Sequence, residues 1–219
     1  MKALQVLKNC LFLVLLFGMD QLVSIPQIVA TYTQSHKPLL VFLIIVYIAV
    51  TTAVIIFFCQ FYRYKIKKNH SAYGKPLQKK QRIMFMLLMV VVWMAFMGLQ
   101  IWYTNQFKVN TSANQLEIEK LFEKLPVWTF LDGVLIAPIM EELIFRGIFF
   151  ELFFQKDTRI MKIIGIIVNA ILFGALHDTG VNFPIYAIMG AILAITYVHT
   201  RDIKCSMGIH ILNNFISFI

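Results

Sequence analysis

In a chain of 219 residues, a composition that is 59% hydrophobic and only 14% charged exceeds what one soluble core can bury and fits a bilayer instead. The formal net charge of +9 does not point to a nucleic-acid partner, because the basic residues fall in the gaps between apolar runs rather than along an exposed helix or among aromatics. The odd set Cys10, Cys59 and Cys205, with no CxxC spacing, gives neither a disulfide framework nor a cysteine zinc site, and these residues read as small hydrophobes.

A helix needs about 20 mostly apolar residues to cross roughly 30 Å of hydrocarbon. Stretches that meet or approach this run at 9–31, 38–62, 83–103, 128–152, 161–177, 182–200 and 205–219. The expected fold class is therefore all-α, a polytopic membrane helical bundle of six to seven transmembrane helices forming one membrane domain, 1–219. Within it, 1–127 makes an N-terminal three-span region and 128–217 a core. Lys2 and Lys8 ahead of the first apolar run resemble a signal peptide, but Asp20 interrupts the run and no small-x-small site follows closely, so an uncleaved span is expected.

The loops set an orientation. The connection 63–82 carries Arg63, Lys65, Lys67, Lys68, Lys75, Lys79, Lys80 and Arg82 with no acidic residue, which reads as cytoplasmic. Alternation then puts Lys2, Lys8, Lys156, Arg159, Lys162, Arg201 and Lys204 on that side. Lys37, Lys108, Lys120 and Lys124 fall outside, the last three with Glu117, Glu119 and Glu123 beside them. The expectation is a multi-pass protein of the cell membrane with a cytoplasmic N-terminus. Asn110-Thr111-Ser112 is a formal glycosylation sequon of a kind that arises often by chance. The stretch 114–125 has the apolar spacing of a short interfacial helix ending at Pro126. No internal repeat supports an inverted-repeat transporter.

The fourth span is where chemistry enters. Glu141, Glu142 and Arg146 lie in its middle, and three central charges oppose insertion by about 9 kcal/mol. Its strongly apolar residues return about 7 kcal/mol, so this helix must turn its charges toward protein or water. Glu142 precedes Arg146 by four residues, the favourable order for an ion pair on one face. Glu141 lies about 100° away around the helix and is left as the working carboxylate. A purely structural role, in which all three pin helices together, stays open at this point.

The fifth span places Gly165, Asn169, Phe173 and His177 on one stripe, the pattern of a packed membrane face. The seventh adds His210 and Asn214, again four apart. Together these groups suit peptide-bond hydrolysis: a carboxylate to take a proton from water, a histidine to orient that water, and two donors for the oxyanion. No serine or cysteine has comparable partners, and the HExxH pattern is absent.

Three motifs stand in order along the chain: Glu141-Glu142-Leu-Ile-Phe-Arg146, Phe173-Gly-Ala-Leu-His177 and His210-Ile-Leu-Asn-Asn214. The set resembles the CPBP membrane proteases (CAAX proteases and bacteriocin-processing enzymes, or Abi family), over roughly 128–217. The resemblance to type II CAAX prenyl endopeptidases implies that Glu141 and His177 activate water, that His210 and Asn214 form the oxyanion hole, and that Glu142 supports the site near Arg146. It implies no cofactor, although Glu and His are competent ligands and a divalent metal stays open. The partners it implies are a peptide or protein substrate and the lipid bilayer, with no nucleic acid; oligomeric state is left open. Substrates of this class include CAAX-type, leader, pheromone and bacteriocin peptides. The competing readings are a non-catalytic immunity or regulatory protein and a proton-coupled transporter.

One tension follows from the boundaries. At about 1.5 Å per residue, Glu141 and His177 would lie roughly 20 Å from the cytoplasmic side and His210 only about 8 Å.

Overall fold

A computed structural model of the chain describes residues 3–69, 76–109 and 111–218, so Lys2, Lys75 and the sequon residue Asn110 lie outside the described residues. Among these, every element is helical. In chain order they are α1 (Ala3–Val23), α2 (Ile25–Ala30), α3 (Lys37–Lys68), α4 (Lys79–Phe107), α5 (Ala113–Lys124), α6 (Pro126–Leu131), α7 (Ala137–Glu142), α8 (Phe149–Phe153), α9 (Arg159–His177), α10 (Phe183–Thr200) and α11 (Ile203–Ser217). Two π-helical stretches, Asp132–Ile136 and Leu143–Ile148, join α6 to α7 and α7 to α8.

Among the described residues, five segments are long and apolar enough to cross a membrane: Ala3–Ala30, Lys37–Lys68, Lys79–Phe107, Arg159–His177 and Phe183–Thr200. The remaining two expected spans take other forms. The fourth becomes the jointed rod Pro126–Phe153, whose junction residues all keep right-handed helical dihedrals. The last becomes α11, whose 15 residues reach only about 22 Å, less than the hydrocarbon thickness. The interfacial helix expected at 114–125 is α5, with Ser112 as its N-cap accepting from the Gln115 N–H.

The rod has physical reasons to widen where it does. Pro138 lacks an N–H and its ring crowds the carbonyl four residues back, so the preceding turn opens and Ala137 N–H bonds to Asp132 O instead. In the second wide turn Phe149 N–H bonds to Ile144 O, and the Phe145 carbonyl is taken from outside by Asn169 Nδ2 at 2.7 Å.

This rod is the centre of the molecule. Residues 142–152 are buried without a break. On one side Leu13 and Leu16 of α1 and Tyr47, Val54 and Phe58 of α3 pack against Met140, Leu143, Ile144 and Ile148. On the other, Phe145 joins Trp93 and Phe96 of α4, Phe173 of α9, and Met189 and Leu193 of α10. The outer surfaces of α3 and α4 leave Phe42, Ile45, Ile48, Leu87, Leu88 and Val91 exposed, an apolar belt suited to lipid. The charged middle of the fourth span is thus shielded from lipid by five other spans, as its insertion energetics require.

Polar ties then fix the packing. Asn9 Nδ2 donates to Leu152 O at 2.9 Å, and Gln27 Nε2 to Thr129 Oγ1 at 3.0 Å. Asn69 Nδ2 reaches Glu151 Oε2 at 2.7 Å, and Arg82 pairs with Asp202 at 2.8 Å. Asp157, in the loop before α9, is held below the usual carboxylate range by its hydrogen bond from Lys162, with the Arg201 charge adding to this. A close helix contact involves Gly190 of α10, where an added Cβ would lie 2.9 Å from Phe173 Cβ and 3.2 Å from the Ala170 backbone. Gly190→Ala is therefore expected to destabilise the protein by about 1–3 kcal/mol, measurable as a lowered melting temperature in detergent. An unchanged melting temperature would show that α9 and α10 can separate freely.

Candidate active site

The buried centre of the site is the Glu142–Arg146 pair. Both side chains are fully buried, with Arg146 Nη1 2.9 Å from Glu142 Oε1. Burial of two unpaired charges here would be prohibitive, so the pair exists only because each offsets the other's lost hydration. Arg146 makes three further contacts: Nη2 donates to Gly190 O at 3.2 Å, and its guanidinium lies 4.6 Å from the Phe173 ring centroid and 5.4 Å from that of Phe145.

The same Glu142 oxygen is 3.0 Å from His210 Nδ1. A carboxylate engaged with Arg146 only accepts, so His210 carries a hydrogen on Nδ1. His177 is held in a parallel way, with Nδ1 2.8 Å from the Phe173 carbonyl, again an acceptor only. Its Nδ1 is therefore also protonated, and the Nε2 atoms of both rings are left to face the site. They face one atom: Glu141 Oε2 lies 3.6 Å from His177 Nε2 and 3.7 Å from His210 Nε2. Both separations exceed a direct hydrogen bond, and Glu141 Oε2 accepts none, although it is screened from solvent. In their neutral forms two imidazole lone pairs and a carboxylate would converge with no hydrogen between them. The triangle thus calls for protons, from water or from a charged imidazole.

Phe173 organises this triangle. It stacks on His177 at 4.2 Å between centroids, meets His210 edge-on at 5.7 Å, and presents a face to Arg146. Asn214 Nδ2 donates to Gly133 O at 2.9 Å, a carbonyl in the first π-helical stretch, so one of its two amide hydrogens is committed. Its neighbour Asn213 accepts from Trp93 Nε1 at 3.1 Å and donates from Nδ2 to Asn214 Oδ1 at 3.3 Å.

The structure brings five of the six expected residues into one chain of contacts, Arg146–Glu142–His210–Glu141–His177, with Asn214 one turn along α11 from His210. The ion pair and the separation of Glu141 from Glu142 stand as expected. The depth mismatch for His210 does not: Glu141, His177 and His210 meet at one level. That count assumed straight helices starting at one plane, whereas α11 is short and packs against α7 and the first π-helical stretch.

Several neighbours were not legible beforehand. Tyr186 stacks on His177 at 5.0 Å, and Gly133 and Gly190 act through backbone carbonyls. Asp20 and Asp132, the latter bound to Tyr47 Oη, lie near enough to feel the Glu141 charge. Asp20 carried one available signal, a lone acid within an apolar span. The glycines and Tyr186 carried none. Among the described residues no three His, Cys, Asp or Glu side chains form a metal-holding group.

Residues 123–216 match the family model for type II CAAX prenyl endopeptidase Rce1-like proteins. The chain carries an Rce1-like segment. That segment holds all six residues expected at the site and runs from the end of α5 through α11. Over 106 residues the chain is 31% identical to the membrane-embedded CAAX protease MroQ of Staphylococcus aureus, covering 47% of this chain and 42% of that one. It is 27% identical over 103 residues to the putative membrane peptidase YdiL of Bacillus subtilis, covering 47% and 41%. The chain thus spans well under two thirds of these two relatives. UPF0177 protein YaiF of Lactococcus lactis is 26% identical over 197 residues, 86% of this chain and 83% of that one. No solved structure matches. The Rce1-like segment excludes α1, α3 and α4, although these helices enclose its central rod.

Proposed function

We propose that the chain is an intramembrane endopeptidase that hydrolyses a peptide bond with a Glu141-activated water. The observation that carries this reading is the convergence of His177 Nε2 and His210 Nε2 on Glu141 Oε2 at 3.6 and 3.7 Å. A water at the mouth of that triangle donates one hydrogen to Glu141 and the other to His177 Nε2, which accepts because Nδ1–H is engaged with Phe173 O. The water's lone pairs then point toward a scissile carbonyl. As the oxygen attacks, Glu141 takes the proton, and the carbonyl oxygen becomes an oxyanion. The uncommitted Asn214 N–H faces it. His210 donates from Nε2 in its doubly protonated form, since Nδ1–H already serves Glu142. Glu141 then passes its proton to the departing amine as the C–N bond breaks, leaving an acid and an amine.

In this reading 1–219 is one membrane domain in the cell membrane, with the N-terminus and loop 63–82 cytoplasmic. It needs no cofactor. The substrate is a peptide or protein of CAAX, leader, pheromone or bacteriocin type, presented from the bilayer. MroQ is named a CAAX protease, which supports the class of reaction.

The test is peptide profiling of membranes holding wild type or Glu141→Gln, each with and without a chelator. The expected result is a product set that depends on Glu141 and ignores the chelator. Products abolished by the chelator would instead make Glu141, His177 and His210 a metal-ligand set. A cellular phenotype kept by both Glu141→Gln and His177→Gln would assign a non-catalytic immunity or regulatory role. Asn214→Ala is expected to lower turnover by about 10²–10³-fold if its amide meets the oxyanion; an effect under about threefold would limit it to bonding Gly133.

A further inference from the structure

His177 is the last residue of α9, where a helix has its fewest constraints, and its side chain is 17% exposed. Its in-plane anchor is the Phe173 carbonyl, which belongs to the same last turn and would move with it if that turn frayed. Phe173 covers one face of the imidazole at 4.2 Å with a 30° interplanar angle. A ring held on one edge and one face can still swing out through its open face. Tyr186 closes that face, with its ring centroid 5.0 Å away and 28° from coplanar.

Tyr186 is itself fixed from three directions. Its backbone lies in the first turn of α10, with Tyr186 N–H bonded to Asn182 O at 3.3 Å. The turn before it is closed by Asn182 Nδ2 donating to Asp178 Oδ2 at 3.2 Å, and Tyr103 Oη of α4 donates to Val181 O at 2.7 Å. At the far end of the ring, Tyr186 Oη is 2.9 Å from Ser112 Oγ, the buried N-cap of α5. Nothing in this arrangement reaches Glu141 directly, so Tyr186 acts only through the histidine.

We propose that Tyr186 is the positioning residue for His177, its ring closing the second imidazole face so that Nδ1–H stays on Phe173 O and Nε2 stays aimed at Glu141. The kinetic consequence rests on the peptidase reading above; the structural consequence does not. Neutral histidine in water favours the Nε2–H tautomer, whereas the bond to Phe173 O enforces Nδ1–H. The tautomer therefore reports whether the ring is held.

The experiment is nitrogen NMR on the full chain in detergent micelles with ¹⁵N-labelled histidine, the His177 signals being assigned by their loss in His177→Gln. Wild type and Tyr186→Phe are expected to show the Nδ1–H form. Tyr186→Leu is expected to show Nε2–H or an average of the two. Tyr186→Met, a ringless side chain of similar bulk, replaces it if the leucine variant does not fold. With a membrane-derived peptide as substrate, the ringless variant should lose about 10²-fold in kcat with KM within about twofold, and Tyr186→Phe should recover most of that loss. An unchanged Nδ1–H signature in the ringless variant overturns the proposal, as does unchanged kcat. If wild type cleaves nothing while the tautomer still reverts, the positioning role stands and the peptidase reading falls.

Discussion

Glu141→Gln is expected to lower peptide turnover by about 10²–10⁴-fold without lowering thermal stability. The substitution keeps the shape of the side chain and removes only its ability to take a proton. No direct hydrogen bond from a protein group to Oε2 is lost, because no such group lies within bonding distance of it. The Glu141 charge acts unfavourably on the nearby Asp20 and Asp132 carboxyls, so removing it relieves repulsion inside the bundle. Turnover and melting temperature measured on the same detergent preparation separate the two effects. A melting temperature that fell along with activity would make Glu141 a structural carboxylate and withdraw it from the chemistry.

Arg146→Met should behave in the opposite way. It leaves the fully buried Glu142 carboxylate without its countercharge and strips Gly190 O of its donor, a loss of about 3–5 kcal/mol. The double variant Glu142→Leu/Arg146→Met removes both charges together and is expected to recover most of that stability. It should still be inactive, because His210 Nδ1 loses the acceptor that sets its orientation. Unfolding in graded denaturing detergent, read alongside turnover, gives both numbers. A double variant with normal activity would show that the buried pair serves packing alone. If the double variant were as unstable as Arg146→Met, hydrophobic side chains would be unable to fill this part of the rod.

The two expected results differ because two adjacent carboxylates occupy different surroundings. Glu142 points into the packed centre, where its Oε1 meets both Arg146 and His210. Glu141, one residue earlier, points toward two imidazole nitrogens that are each protonated on the far side. This division follows from helical geometry, which turns successive side chains roughly a quarter of the way around the axis.

The sequence by itself determined the membrane class, the helical architecture and the identity of the polar residues, since each depends on local properties. Hydropathy over a window and the expense of intramembrane charge need no knowledge of neighbours. The i,i+4 spacings likewise paired Glu142 with Arg146 and put Asn169, Phe173 and His177 on one face. Tertiary structure alone decided which atoms meet. The Gly190 and Gly133 carbonyls are backbone groups whose availability depends on an opposing helix and a widened turn, and no side chain announces them. The common level of Glu141, His177 and His210 depends on how the rod and α11 pack, which a count of residues per span does not contain. Tyr186 joins His177 across the α9–α10 turn and reaches α5 through Ser112, a link between segments distant in sequence. Long-range contacts arise from packing, and packing is where one-dimensional periodicity carries no information.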